Sequence, residues 1–377
     1  MGLPPNNSFK PTWLSPRGLT QALGDRSKLY GNLKEEQERR LTIEFTDLQM
    51  GKSYATEEVY FSGGLRGFPT NRGWALFPVS EDPNSDAIVF GSPQAHLRFA
   101  TQDCGLKFIG TCVRYQIDPN SPPMDVWEPG KRDPSNNLNA ADSWGAVGHQ
   151  AEAAGDIGYA NCATYLSVSL KLAGLRLRDV SRKYHDQLIW ALRAKKRPGT
   201  WFSNAALLDL YADCHSLVSE LSSARDHLAK LAALHVGAPG RIDSFARLED
   251  WISRSSNSDH VNQPLAAIMF SAAGTKDSPS WLRRLGEIRN EMLHTLPMGA
   301  NDRVSGLTLQ EISTSMGDIK FIRLAEPLSR TTLANQGPDP LIELSQLSTN
   351  MEHLCRAGWK LAKHPASLPN FVEKSAT

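Results

Sequence analysis

The chain has 377 residues, 40% of them hydrophobic and 21% charged, with a formal net charge of +1. That balance describes an ordinary globular protein with room for two domains; near-neutral charge excludes nucleic-acid binding by overall basicity, so any basic surface has to be local. Cys104, Cys112, Cys162, Cys214 and Cys355 form no CxxC pair, which argues against a disulfide framework and for a reducing cytoplasm.

Residues 1–35 are polar and carry Pro4, Pro5, Pro11 and Pro16, which predicts a poorly ordered lead-in. Within them, Pro5-Asn6-Asn7-Ser8-Phe9-Lys10-Pro11-Thr12 resembles translated recombination-site sequence of integron gene cassettes. That resemblance implies an over-extended start and a gene carried in mobile DNA. The N-terminus lacks the apolar core of a signal peptide, and no apolar run approaches the roughly 18 residues of a membrane span.

Residues 36–118 read as a β-rich domain. Leu41–Phe45, Glu57–Phe61, Gly73–Val79, Ala87–Phe90, His96–Phe99 and Leu106–Ile117 are short runs rich in β-branched and aromatic residues, punctuated by Gly, Pro, Asn and Asp. They predict a small sheet, sandwich or barrel. Gly63-Gly64-Leu65-Arg66-Gly67 lies between two runs without the Lys-Ser/Thr ending of a phosphate loop. It is read as a hairpin connection. Residues 119–140, with Pro119, Pro122, Pro123, Pro129 and Pro134, read as a linker.

From 141 to 365 the pattern is helical. Helices are expected near 142–155, 159–195 (with a break at Gly174), 203–235, 241–254, 263–272, 279–296 and 339–363. Gly306–Ile312 and Asp318–Leu324 predict a β hairpin inserted before the last helix, and residues 366–377 a fraying tail. The fold class is therefore α+β: a β-rich domain followed by a helical domain with an inserted hairpin.

One helix carries the sharpest chemistry. Ser278–Pro297 reads SPSWLRRLGEIRNEMLHTLP, with Ser278 suited to an N-cap, Pro279 to the first turn, and Pro297 to the end. On a wheel of ~100° per residue, Trp281, Leu282, Leu285, Ile288, Met292, Leu293 and Leu296 share one arc. Arg289 falls inside that arc, where a charge needs a partner or a task. Asn290 and His294 are i,i+4 neighbours on the polar side. Arg289 and His294 stand roughly 140° apart on an ideal helix, so a second helix, or a second copy of this one, has to complete any site they form.

These residue types suit phosphodiester cleavage in RNA. That reaction needs a base for the 2′-OH proton, an acid for the 5′-oxygen leaving group, and positive charge for the phosphate. His294 can act as base or acid near neutrality, Arg289 can hold phosphate oxygens in a planar fork, and Asn290 can orient either. Spacing alone is not specific, because Arg178…His185 and Arg254…His260 have similar separations. Only Arg289…His294 places Asn directly after Arg inside an amphipathic helix.

Arg289-Asn290-Glu291-Met292-Leu293-His294 resembles the R-N-x-x-x-H signature of HEPN-domain ribonucleases, an all-α superfamily of four or five helices. The resemblance spans roughly 150–365, with the motif as its specific part. It implies a HEPN-like helical bundle, metal-independent cleavage leaving a 2′,3′-cyclic phosphate, and a homodimer whose two motifs face one cleft. It implies catalytic Arg289 and His294, a supporting Asn290, and no metal or cofactor. It further implies a toxin or antiphage-defence effector, with RNA as substrate and an antitoxin or phage-derived trigger as partner. The alternatives are a catalytically silent HEPN-like interaction or regulatory protein, and a DNA- or nucleotide-binding module.

The most basic stretch is Lys171, Arg176, Arg178, Arg182, Lys183, Arg193, Lys195, Lys196 and Arg197, with Tyr184, His185 and Trp190 interleaved. It could contact phosphates and stack a base, or form a solvated helix face. Lys195, Lys196 and Arg197, together with Arg283 and Arg284 on the motif helix, are the candidate RNA contacts. Asp213-Cys214-His215 is not read as a metal site, since adjacent helical residues diverge. Asp226 or His227 is a candidate supporting partner for the motif. No G-x-S-x-G, H-E-x-x-H or P-C-x-x-C pattern is present.

Overall fold

A computed structural model describes residues 54–80, 87–116, 122–129, 139–295, 297–300, 305–325, 328 and 339–367. All belong to the unit spanning residues 53–377. The expected lead-in, the run Leu41–Phe45 and the cassette-like Pro5–Thr12 lie outside the described residues. The architecture is α+β, with an N-terminal antiparallel sheet followed by a helical region.

The six strands of the first sheet are β1 (Tyr54–Phe61), β2 (Arg66–Thr70), β3 (Gly73–Phe77), β4 (Ile88–Phe90), β5 (Phe108–Gln116) and β6 (Met124–Pro129). Their order is β4-β3-β2-β1-β5-β6 and every pairing is antiparallel. Among the described residues this is an open sheet with β4 and β6 at its edges. The connection at Gly63 and Gly64 is a tight turn at Ser62–Gly64, with positive φ of 76° and 87° that favour glycine.

Three local readings are corrected. His96–Phe99 was expected as a strand, but Pro93–Arg98 is a helix, α1. Ser92 accepts the Ala95 N–H at 3.2 Å and Pro93 occupies the first turn, and these start signals override the β-prone side chains. β2 runs through Gly67 and Pro69, which hide it from a propensity reading. It is tolerated because β2 meets β1 only at Gly67 and Arg66, short of Pro69. Finally, β6 lies in the proline-rich stretch read as linker. Its Trp127 is buried and packs against Tyr60 with ring centroids 5.5 Å apart, so packing, not propensity, makes it a strand.

The helical region contains α2 (Ala140–Ala153), α3 (Ile157–Arg193), α4 (Leu207–His235), α5 (Phe245–Ile252), α6 (Pro264–Ala273), α7 (Trp281–Asn290) and α8 (Pro340–Trp359). α3 is unbroken for 37 residues, contrary to the expected break at Gly174. That glycine faces the edge of Trp127, where a Cβ would lie 3.3 Å from Cδ1. The inserted hairpin is present as β8 (Leu307–Thr314) and β9 (Gly317–Leu324), and β7 (Trp201–Phe202) adds a third strand beside β8.

Sheet and helices share one apolar core in which Tyr60, Phe61 and Ile109 meet Leu177, Tyr184 and Leu188. The sheet side is pinned to α3 by the Asp125 carboxylate. It accepts from Arg114 Nε at 2.8 Å, Arg182 Nη2 at 3.1 Å and Arg178 Nη1 at 3.4 Å. The helix side is closed by α8. The Trp144 indole N–H donates to the Cys355 carbonyl at 3.0 Å, and Tyr184 donates to Asp339 at 2.8 Å. No helix among the described residues is long and apolar enough to cross a membrane.

Candidate active site

The motif helix starts later than expected. Ser278 does not cap it. The chain turns back at 274–280, with Gly274 bridged to Pro279 and Thr275 N–H donating to the Ser278 carbonyl at 3.1 Å. α7 then begins at Trp281 after Ser280. It packs against α4, α6 and α8 through Leu282, Leu285 and Ile288, all fully buried.

The helix ends in a way no wheel anticipates. Glu291–Thr295 forms a π turn, so the motif straddles an α segment carrying Arg289 and Asn290 and a wider turn carrying His294. Hydrogen bonds from i to i+5 advance each residue by a smaller angle. The separation of Arg289 and His294 around the axis is therefore smaller than on an ideal α-helix. π turns recur at functional sites for this reason: they re-aim one side chain without breaking the helix. Met292 stays buried and holds the turn against the core, while Asn290, Leu293 and His294 are exposed.

Arg289 is half-buried, and its Nη1 donates to Asn290 Oδ1 at 3.2 Å. Among the described residues His294 has no hydrogen-bond or ion-pair partner. Neither group is used to stabilise the fold in the way Arg283 and Arg284 are. Arg283 makes a two-pronged pair with Glu249 on α5, at 2.7 and 3.2 Å. Arg284 Nε donates to Glu343 on α8 at 2.7 Å. The two arginines thus fasten α7 to its neighbours, and their charge is already matched.

A residue that the sequence did not single out joins the motif. Arg225 on α4 is largely sheltered, and its Nε donates to Asp226 Oδ1 at 3.0 Å. Its terminal amino groups have no partner among the described residues. Nη1 rests directly on Gly286, in a space that a Cβ there would occupy. Gly286 is one turn before Arg289 and Asn290, at i+3 and i+4, and helical side chains lean toward the N-terminus. Arg225, Arg289 and Asn290 therefore converge on one patch, with His294 a turn further on. The signal in the sequence was the glycine itself, unfavourable in a helix interior by about 1 kcal/mol against alanine.

Asp226 also accepts the Phe245 N–H at 3.1 Å, which fixes the start of α5. His227 instead lies against Tyr165, with ring centroids 5.7 Å apart, and burial lowers its pKa. Past the motif, the Met298 N–H donates to His215 Nε2 at 3.0 Å, and burial keeps His215 from charging readily. Gly299, at φ 85°, lies so close to the Tyr211 ring that a Cβ would stand 2.6 Å from Cδ2. The end of the motif is thus tied to the first half of α4.

The basic stretch divides in two. Lys171 pairs with Asp142 at 3.1 Å, Arg176 with Asp179 at 3.5 Å, Arg178 and Arg182 with Asp125, and Lys183 with Asp213 at 3.0 Å. Arg193, Lys195, Lys196 and Arg197 have no ion pair among the described residues. No group of three or more His, Cys, Asp or Glu side chains among the described residues could hold a metal ion. Searches of family models, curated proteins and solved structures find no match to this chain.

Proposed function

We propose that the chain is a metal-independent endoribonuclease of HEPN type, with Arg289, Asn290 and His294 as its working residues and Arg225 as a second cation. The observation that carries the reading is the set of unpaired groups at the end of α7. A histidine without a structural partner lies one π turn beyond an Arg-Asn pair, beside a guanidinium with unpaired amino groups.

In this reading His294 removes the ribose 2′-OH proton. The 2′-oxygen attacks the adjacent phosphorus and the P–O5′ bond breaks. A 2′,3′-cyclic phosphate remains on one fragment, and the 5′-oxygen of the other takes a proton from an acid. Arg289 and Arg225 match the charge on the phosphate oxygens. Asn290 holds Arg289 in place and orients the phosphate. One chain offers one histidine at the motif, so base and acid come from two copies that face each other across a two-fold axis. The helical region is then a HEPN-like bundle, and the protein a cytoplasmic toxin or antiphage effector held in check by an antitoxin or released by a phage component.

The test is cleavage of RNA by the purified protein in EDTA. Cleavage is expected, with 2′,3′-cyclic ends, and His294→Ala abolishes it while the folded signal is unchanged. Cleavage that persists in His294→Ala overturns the assignment. A silent binding module is the rival reading, favoured by the single histidine that each chain brings to the motif. It predicts no cleavage by either protein.

A further inference from the structure

The four unpaired cations at the end of α3 do not stand alone. Trp190, in the last turn of α3, is 39% exposed, and Trp201 on β7 is 47% exposed. Both are held rigidly. Trp190 packs on the buried Phe202 ring, with centroids 5.4 Å apart, and Trp201 is fixed opposite Thr308 by strand pairing, its indole lying over Gly306. Lys196 Nζ sits 5.4 Å from the centre of the Trp190 ring.

The loop between them is ordered by its backbone. Lys195 N–H donates to Leu192 O at 2.8 Å, Lys196 N–H to Ala191 O at 3.0 Å, and Gly199 N–H to Leu309 O at 2.7 Å. Lys195 takes φ 52°, a left-handed conformation that side chains of its kind rarely adopt. A strained residue persists where its surroundings over-determine it. Here the strain turns the chain sharply, so that Arg193, Lys195, Lys196 and Arg197 lie within five positions of one another between the two indoles.

We propose that this end of α3 and β7 is a docking platform for single-stranded RNA, with unpaired bases stacked on Trp190 and Trp201 and phosphates matched by Lys195, Lys196 and Arg197. Exposed indole faces suit unpaired bases of any identity, and cations flanking them suit a backbone that repeats its charge at every nucleotide. Duplex RNA keeps its bases stacked on each other and offers no face to an indole. The platform and the segment that follows the motif meet α4 near the same end. Gly299, five residues past His294, touches Tyr211, and β7 leads into α4 at Leu207. Four residues of helix separate those two positions, roughly 6 Å of rise. Arg225, beside the motif, lies 18 residues along α4 from Leu207, roughly 27 Å of rise, the span a bound strand would run between platform and motif. This deepens the ribonuclease reading but its test does not depend on cleavage.

The experiment uses the full chain as His294→Ala, titrated against a fluorescent 12-nucleotide oligouridine in EDTA and read by anisotropy. Binding is expected, with quenching of tryptophan emission. Replacing both Trp190 and Trp201 by Ala is expected to weaken binding tenfold or more, as removal of base stacking does elsewhere. Replacing both by Phe keeps a stacking face and most of the affinity. If the alanine variant fails to fold, the aromatic series is read from the Phe variant and the charge series from Lys195→Glu, Lys196→Glu and Arg197→Glu, all on the exposed loop. Removing three phosphate contacts should lower the slope of log affinity against log salt by about 2. Equal competition by heparin and by oligouridine, with no effect of the tryptophan substitutions, overturns the platform and leaves only a charged surface. Absence of binding also overturns it. Binding without cleavage by the unsubstituted protein keeps the platform and removes the ribonuclease reading. Cleavage with platform variants unaffected does the reverse.

Discussion

The guanidinium of Arg225 meets Gly286 through Nη1, on the turn of α7 that leads into Arg289 and Asn290. The contact crosses from α4 to α7 and brings a second cation to the motif that a single helix could not supply. If Arg225 serves the phosphate, Arg225→Ala should lower the RNA cleavage rate about 100- to 1,000-fold, the scale of losing one charge-stabilising donor. Gly286→Ala asks the same question without touching the charge. It favours the helix by up to about 1 kcal/mol, yet its Cβ displaces the guanidinium. Slower cleavage with an unchanged or higher melting temperature is the expected outcome. Unchanged cleavage in both variants would show that Arg225 only packs.

Because one chain offers one His294 at the motif, activity should depend on association. Specific activity is expected to fall on dilution, in step with the loss of dimer seen by light scattering. A monomer with full cleavage per chain would rule out the shared cleft. His294→Ala should leave folding stability within about 0.5 kcal/mol, as for an exposed side chain without partners.

Asp339 gives a pH signature with an unusual sign. Burial pushes its carboxyl up to about 6, although Leu341 N–H and Tyr184 O–H each donate to it at 2.8 Å. A carboxyl raised on folding binds its proton more tightly in the native state. Its stabilisation is complete below about pH 4 and is lost as the pH rises through 6. Asp339→Asn accepts the same two hydrogen bonds and carries no charge. The variant should therefore gain on the original by on the order of 2 kcal/mol between pH 4 and pH 7, measured by urea unfolding. His96, lowered to about 4 by burial, acts with the opposite sign: its contribution is present above about pH 6.5 and lost on acidification toward 4. It is common to both proteins and cancels in the difference. A constant difference across the range would contradict the assignment.

Asp125 is the acceptor for three arginines, and Arg178 and Arg182 are substantially sheltered from water. Asp125→Ala strands the charge of Arg182 at the sheet–helix boundary, whereas Arg178 keeps its hydrogen bonds to Asp179. The expected loss is about 2 kcal/mol, below that of a fully buried pair because solvent still reaches Arg182. Asp125→Asn keeps acceptor oxygen on one side and should lose less. Equal stability of the alanine variant, by urea unfolding, would mean that Arg182 is satisfied without it.

The helices and the β8–β9 hairpin were legible because their patterns are local. Leu282, Leu285 and Ile288 recur at helical spacing, and alternating apolar residues mark Leu307 and Leu309. β6 was not legible, because Trp127 becomes a strand residue only by packing on Tyr60 and α3. The π turn was invisible too: five residues are too few for a change of period to register, and Pro297 suggested only that a helix ends. Charges were the least legible. Lys183 and Lys196 look alike in the sequence, yet one is paired with Asp213, 30 positions away, and the other lies over an indole. Arg289 and His294 could be picked out as residues, but their neighbour Arg225 is 64 positions earlier and was announced only by a glycine.

The hydrogen bond from Trp144 to Cys355 joins positions 211 apart in sequence. Ala140 N–H reaches Glu352 over a similar gap, and Tyr184 reaches Asp339. The core built around α3 therefore lacks its last wall until α8 has been synthesised. At ~5–20 residues per second, a nascent chain spends many seconds with Trp144 and Tyr184 unmatched, open to chaperones. Long-range closure of this kind is slow. It also means that the motif helix, which α8 backs through Arg284 and Glu343, gains its last support only when α8 has been made.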